Sequence, residues 1–233
     1  MNKRKAFTVS SIFRNQIIIP IAAILLLALF NLISDPSFFE IKLTYNNLGN
    51  PILAGNLISV IDFGSELAIL AIGMTFVTAA SGGQDISVGA AMAIAGSVIL
   101  RVLCGENTSP ETLQTSYITA FLVAFAVALV FGAFNGVLVS VFKIQPMVAT
   151  LILFTAGRSV ASLINNGELP VIKEVSFSYF GGYIPGCPIP TPVLIAIVVT
   201  IITFLLLKFT NLGLYIQAVG INDQSSRLNG LNS

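Results

Sequence analysis

Apolar residues along this 233-residue chain fall into long runs that short polar stretches separate. Windows of about 20 residues identify six runs long enough to cross the hydrocarbon core of a bilayer as helices. The predicted spans are 17–33, 57–80, 87–103, 116–142, 147–164 and 191–209. The pattern predicts an all-α, polytopic transmembrane helix bundle. Its parts are a cytoplasmic N-terminal segment over 1–16, a transmembrane domain over 17–209 and a cytoplasmic segment over 210–233.

The polar stretch at 82–89 lies between the second and third spans and reads Gly-Gly-Gln-Asp-Ile-Ser-Val-Gly. Irregular backbone at membrane depth persists only where protein or water satisfies its N–H and C=O groups. We therefore expect a broken helix near 82–87 that lines a solute pathway, with Gln84, Asp85 and Ser87 contacting a polyhydroxylated solute. Alternatively, the Asp85 carboxylate simply caps the N-terminus of the following helix.

Small residues recur at every fourth position of the fourth span, at Ala120, Ala124, Ala128, Gly132 and Gly136. A shorter stripe follows the third span, at Gly89, Ala93 and Ser97. Lipid tails give no hydrophobic reward for helix association, so close backbone approach through such stripes is what favours it. We expect the fourth span to be buried against another helix along its stripe.

Arg158 is the clearest case of a charged residue within a span, where a charge at the bilayer centre costs about 2.5–3.5 kcal/mol. Arg158 is roughly 18 Å beyond Pro146 at the helical rise, a little past the middle of the fifth span. We expect Arg158 to face the bundle interior and to pair with Asp62, Glu66 or Asp85. This position suits either a structural ion pair between helices or a direct contact with substrate.

Composition supports the membrane assignment and excludes several classes of function. Hydrophobic residues make up 55% of the chain and charged residues 9%, against about 25% charged residues in soluble domains. The net charge is +1 and histidine is absent, so nothing favours a nucleic-acid partner, a metal site, a cofactor or an enzyme. Cys104 and Cys187 lack CxxC spacing, and a disulfide between them is left open. Asn135 adds an uncharged hydrogen-bonding group to the predicted pathway.

Charge asymmetry predicts the orientation of the chain. Four basic residues precede the first span: Lys3, Arg4, Lys5 and Arg14. The positive-inside rule then places the N-terminus in the cytoplasm, and alternation of the spans places Lys143 and Lys208 on the same side. The first span is longer than the apolar region of a typical signal peptide, which favours a retained helix over a cleaved one.

Three groups of motifs carry a family resemblance: Leu70–Thr75 with Gly82–Gly89, Asn135-Gly136 with Lys143–Leu151, and Gly213–Leu231. Together they resemble the membrane permease subunits of bacterial ABC sugar importers of the ribose, xylose and galactose type. The segment from Lys143 to Ala161 is most similar to the galactofuranose importers of this family. Gln84 departs from the family pattern, where an aliphatic residue is usual, and Ser225-Ser226 replaces Ala-Ala.

The resemblance implies a permease subunit of the bacterial inner membrane that forms part of the pathway for a monosaccharide such as galactofuranose. Its implied partners are an ABC ATP-binding subunit, a periplasmic sugar-binding protein and a second permease subunit. The chain has no GxxxxGK[ST] phosphate loop, so ATP hydrolysis is left to the partner. The implied ATPase-coupling residues are Asn222, Ser225, Ser226, Arg227 and Leu228. We expect them to form a short helix between Gly220 and Gly230 that docks Leu228 and Leu231 into the ATPase.

Members of the family continue with further spans beyond the position of Ser233, so we expect a C-terminally truncated chain or a second chain that supplies the rest. Two alternatives to the importer remain open. One is a truncated, non-transporting remnant of such a permease. The other is an ion-coupled secondary transporter that uses Asp85 and Arg158 as a coupled pair.

Overall fold

The six apolar runs form helices whose ends lie within two residues of the predicted ones. A computed structural model describes residues 18–46, 49–106, 110, 112–168 and 170–230. Its helices are α1 (Ile18–Ser34), α2 (Asn56–Ser81), α3 (Val88–Cys104), α4 (Tyr117–Ser140), α5 (Pro146–Ile164), α6 (Val175–Gly181), α7 (Thr191–Phe209), α8 (Leu212–Ile221) and α9 (Asp223–Leu228). A 3₁₀ turn at Pro36–Phe39 precedes two short strands, β1 (Lys42–Tyr45) and β2 (Pro51–Ala54). The predicted all-α class is confirmed, with this hairpin as a small addition.

The helices suit a membrane by length and composition. Helices α2, α4, α5 and α7 are long and apolar enough to cross a bilayer, while α1, α3 and α8 are shorter apolar helices. Residues that break helices set several of their ends. Gly82, at the C-terminus of α2, has a left-handed φ of 65°, which glycine adopts without steric cost. Pro146 begins α5, where its missing N–H costs no helical hydrogen bond.

Two groups of helices form the bundle. Helix α3 packs against α4 and α5, around a core that includes Ile94, Ala124 and Leu153. Gly157 allows the close approach of α5, since a Cβ atom at this position would lie 2.7 Å from the Cβ of Ala90. Helix α2 instead packs against α7 and α8. The connections place the end of α2 and the start of α3 at the same end of the bundle as the end of α4 and the start of α5.

The hairpin lies at the opposite end, in antiparallel register with Leu43 opposite Leu53. The Leu53 N–H donates to the Pro188 carbonyl at 3.0 Å, and the Tyr183 hydroxyl donates to the Leu53 carbonyl at 2.7 Å. Burial raises the pKa of the Tyr183 phenol, and the Asp62 carboxylate raises it further. The hairpin and the loop before α7 therefore form one layer over this end. Cys104 and Cys187 are both free.

The small-residue stripe of α4 is only partly packed. Ala120 and Ala124 are buried and Ala128 is half-buried, whereas Gly132 and Gly136 are exposed. A Cβ atom on either glycine would find no neighbour within 4 Å. The expectation that the whole stripe packs against a helix is therefore wrong for its second half, because the two helix groups separate there around a cavity.

Candidate functional site

A cavity of about 600 Å³ lies between the two helix groups, beside Gly132 and Gly136. The last turns of α2 and α4, the start of α5 and the C-terminal part of α8 form its walls. Its polar lining residues are Ser81, Asp85, Asn135, Ser140, Lys143, Thr150 and Arg227. The cavity thus combines carboxylate, amide, hydroxyl and cationic groups within an otherwise apolar bundle.

The connection between α2 and α3 is held tightly against α5. A Cβ atom on Gly83 would lie 2.6 Å from the Pro146 ring, so only glycine permits this approach. The Ile86 N–H donates to the Thr150 hydroxyl at 3.1 Å, and that hydroxyl donates to the Pro146 carbonyl at 3.0 Å. The irregular backbone at 82–87 is therefore partly satisfied by α5, as a polar segment in an apolar bundle must be.

A hydrogen-bonded chain of three side chains runs from this connection to α4. Both the N–H and the hydroxyl of Ser87 donate to Asp85 Oδ1, at 2.7 and 2.6 Å. Asn135 Nδ2 donates to the Ser87 hydroxyl oxygen at 3.0 Å. Ser87 and Asn135 are buried, with 3% and 7% of their surface exposed, while Asp85 is half-buried and lines the cavity. Ser87 thus fixes the carboxylate and the amide relative to each other.

Two details of this hydrogen-bonded network of Asp85, Ser87 and Asn135 differ from the sequence-based expectation. Ser87 is the N-cap residue of α3, so Asp85 closes the turn before the helix and does not cap its first turn. The segment also lies near one end of the bundle, since Asn135 is five residues before the end of α4, about 7.5 Å at the helical rise. Asn135 Oδ1 is buried and has no hydrogen-bond partner in the described part of the chain.

Two of the five predicted pathway residues line the cavity, Asp85 and Asn135, and Ser87 lies behind them. Gln84 is exposed and lies outside the cavity lining. The expectation for Arg158 is wrong: its side chain is exposed, pairs with no carboxylate of the described residues and lies over the Phe154 ring at 5.2 Å. The reason is helix rotation, since α5 turns Gly157 towards α3 and leaves the next residue outside the contact.

Sequence reasoning missed Lys143 as a cavity residue. Lys143 has a positive φ of 56°, in the tight connection between α4 and α5. The only sequence signal for this residue is its position two residues before Gln145-Pro146, where α5 begins. A basic residue in such a loop indicates on which side of the membrane the loop lies, but not that its side chain lines a cavity. The turn that brings this lysine to the cavity depends on how α4 and α5 pack.

The C-terminal helix differs in its boundary from the prediction. Gly220 lies inside α8, close against the Ala79 carbonyl of α2, and does not break the helix. The break comes at Asn222, whose φ of −158° is extended. The Asn222 side chain accepts a hydrogen bond from the Ser225 N–H at 3.0 Å, so this residue caps α9.

The side chains of α9 divide between an inner and an outer face. Ser226 is only 5% exposed and donates to the Asn222 carbonyl at 2.9 Å, so it is not available for a partner as the prediction required. Arg227 lines the cavity. Ser225 is exposed, and Leu228 is 90% exposed. Leu231, which was expected to dock beside Leu228, lies outside the described residues.

Comparisons with known proteins show the family of this chain. Residues 56–233 match the family described as branched-chain amino acid transport system / permease component. The chain is 38% identical over 215 residues to the galactofuranose transporter permease protein YtfT of Escherichia coli. It is 35% identical over 217 residues to the fructose import permease protein FruF of Bifidobacterium longum. It is 32% identical over 216 residues to the ribose import permease protein RbsC of Escherichia coli.

These relatives are longer than this chain. The alignments cover 91% of this chain in each case, and 58%, 57% and 60% of the galactofuranose, fructose and ribose permeases respectively. The chain therefore spans less than two thirds of their length. No solved structure matches it.

Proposed function

We propose a role in sugar import for this chain, which belongs to the branched-chain amino acid transport system / permease component family. As a member of that family with several apolar helices, it is a multi-pass inner-membrane transport protein and not an enzyme. We propose that it forms part of the pathway through which an ATP-driven importer moves a monosaccharide such as galactofuranose. The sugar is suggested by the permease that is 38% identical over 91% of the chain.

The cavity between the two helix groups carries this proposal. Its volume of about 600 Å³ lies within the range of about 300–1,000 Å³ that small-molecule sites occupy. A sugar offers hydroxyl groups that both donate and accept, so it requires directed hydrogen bonds of both kinds. Asp85 supplies an acceptor, Asn135 belongs to the same network, and Lys143 supplies donors. Ser87 positions the first two and does not contact the sugar.

An uptake assay tests this assignment. Vesicles should contain the chain, an ABC ATP-binding subunit and a sugar-binding protein, and radiolabelled monosaccharides should be compared. Asp85→Asn weakens the acceptor and should reduce ATP-dependent uptake at least about tenfold, the effect of losing one charge-assisted hydrogen bond worth about 1.5–3 kcal/mol. Thr155→Val is the matched control, because Thr155 is exposed, lies away from the cavity and bonds only its own helix.

Two results would contradict the importer proposal. Uptake by the chain alone, without ATP, would indicate a secondary transporter. Equal uptake by the Asp85→Asn and Thr155→Val variants would remove the cavity from the pathway. The partners themselves are part of the proposal: an ATP-binding subunit at the α8–α9 end, a sugar-binding protein at the hairpin end and a second permease subunit.

The α8–α9 end offers an apolar surface for the ATP-binding subunit. Ile221 and Leu228 flank the break at Asn222 and are 85% and 90% exposed. Leu228→Asp should abolish co-purification of the ATP-binding subunit without changing membrane insertion. Leu43→Asp, at a 61% exposed leucine of the opposite end, is the control and should retain co-purification. Retention by both variants would contradict docking at α9.

A further inference from the structure

A groove between α3 and α5 is separate from the cavity, and none of the described residues covers it. We call it the α3–α5 groove and define it by Ala93, Gly96, Ser97, Ala161, Ser162 and Asn165. The exposed carboxylate of Glu168 also lines it, beyond the end of α5 and ten residues from Arg158. Its volume is about 460 Å³. A Cβ atom on Gly96 would meet no neighbour within 4 Å. Small residues along an open groove allow another helix to approach its backbone closely.

Asn165 carries a buried polar atom that has no hydrogen-bond partner among the described residues. Its side chain is only 6% exposed, and its Nδ2 donates to the Ser97 carbonyl at 3.2 Å. Its Oδ1 is buried and accepts no hydrogen bond from the described residues. Buried polar atoms are almost always hydrogen-bonded in folded proteins. This oxygen therefore requires a donor that the described residues do not supply, either a water molecule or another segment at this end of the groove.

Arg158 lies one helical turn from the groove, on the same flank of α5. Its guanidinium lies over Phe154, which is one turn closer to the start of the helix. The side chain is therefore directed along α5 towards its start and away from the nearer helix end at Ile164. Ser159, on the neighbouring position, is exposed and makes no hydrogen bond within the described residues.

A lipid-facing position does not account for these features. An exposed guanidinium without a carboxylate is costly at membrane depth and is stable only against water or an anionic partner. Helix α1 shows the contrast: it has no buried residue, and its exposed face carries large apolar side chains such as Leu26, which suit lipid. The α3–α5 groove instead combines small residues with a buried amide oxygen that accepts no hydrogen bond from the described residues. One helical turn away lies a guanidinium that pairs with no carboxylate of those residues.

We propose that the α3–α5 groove binds a transmembrane helix that carries an Asp or Glu facing Arg158. The small side chains admit the backbone of that helix, the carboxylate pairs with the guanidinium, and a donor from the same helix satisfies Asn165 Oδ1. The charge of Arg158 selects an acidic helix over an apolar one. Its occupant is thus a membrane segment outside the described residues, and not the sugar that the cavity is proposed to bind.

Site-specific photo-crosslinking tests this proposal in membranes of the native cells. A photoreactive amino acid at Ser162 should crosslink to a peptide that contains Asp or Glu within an apolar stretch, identified by mass spectrometry. The same amino acid at Leu26, which is 67% exposed on α1, is the control and should crosslink to lipid. Crosslinking of Ser162 to lipid alone, or to a peptide without a carboxylate, would overturn the proposal.

Charge reversal tests the ion pair once the peptide is known. Arg158→Glu should reduce the crosslink yield at least about tenfold, and Asp→Arg or Glu→Arg in the captured helix should restore it, because the pair is then reversed. Loss without restoration would contradict the proposed pair. This readout is independent of sugar uptake, so its failure would leave the cavity assignment standing.

Water accessibility distinguishes a helix from an aqueous path. In a background with Cys104→Ala and Cys187→Ala, Ser162→Cys should resist a membrane-impermeant thiol reagent, because a helix covers it. Ser178→Cys, exposed on α6, is the control and should react. Equal labelling of both cysteines would show that water fills the groove, which would overturn the proposal.

Discussion

Replacing Gly157 by alanine should separate α3 from α5. The added Cβ would lie 2.7 Å from the Cβ of Ala90 and 3.4 Å from Cδ1 of Ile94, whereas carbon atoms in favourable contact are about 3.5–4.0 Å apart. The two backbones must therefore move apart by about 1 Å, which weakens the contacts along both helices. Overpacking of this kind costs about 1–3 kcal/mol, and the higher helix propensity of alanine offsets about 0.8–1 kcal/mol of that cost. The free energy of unfolding should therefore fall by up to about 2 kcal/mol.

The measurement is unfolding of the purified chain in mixed micelles titrated with a denaturing detergent, followed by circular dichroism. Gly73→Ala is the matched control, because Gly73 lies on α2 with no atom within 4 Å of an added Cβ. It should leave the midpoint unchanged or raise it slightly, since alanine favours helix over glycine. The double variant Gly157→Ala with Ala90→Gly removes the methyl group that collides and should recover most of the loss. A midpoint of Gly157→Ala equal to that of Gly73→Ala would refute the proposed packing.

Three further predictions follow from particular contacts. Ser87→Ala leaves the Asn135 amide without its acceptor and should reduce the free energy of unfolding by about 1–3 kcal/mol; Ser87→Thr, which keeps a hydroxyl, should lose less in the same detergent titration. Tyr183→Phe should lose about 0.5–1.5 kcal/mol at neutral pH. Because the folded state raises the pKa of this phenol, its stabilisation is complete below the usual pKa of about 10 and declines as the pH rises towards the folded-state pKa. The difference between wild type and Tyr183→Phe should therefore shrink above about pH 10 in titrations at a series of pH values, and a constant difference would contradict this. Gly220→Ala would place a methyl group against the Ala79 carbonyl and should make the α8 backbone amides exchange hydrogen faster; unchanged exchange would contradict the close contact.

Much of the architecture could be predicted from the sequence. A bilayer requires every backbone polar group to be satisfied within the spanning segment, so an apolar run of sufficient length becomes a helix whatever its neighbours are. That is why the predicted ends of α2, α3 and α5 each differ from the observed ones by no more than one residue. The motifs around Asp85 likewise indicated the permease family before any contact was known.

The site was predicted only in part, because the helical period indicates which residues share a face but not what that face meets. Asn135 and Ser87 are 48 residues apart, and Ile86 and Thr150 are 64 apart. Nothing local to either member of a pair indicates the other. For Arg158 the sequence predicted a contact that the structure does not have. Its charge and depth suggested an interior position, but the neighbouring Gly157 occupies the contact with α3, and the arginine therefore faces outward.

The sequence by itself determined the number and extent of the predicted spans, since these depend on the local balance between apolar side chains and backbone polarity. Only the tertiary structure decided where the helices part. The stripe on α4 has the same small residues along its whole length, yet Ala124 is buried and Gly132 borders the cavity. The physical reason is that a small residue permits close approach without enforcing it, and whether a neighbour is present depends on the crossing of helices that lie far apart in the sequence.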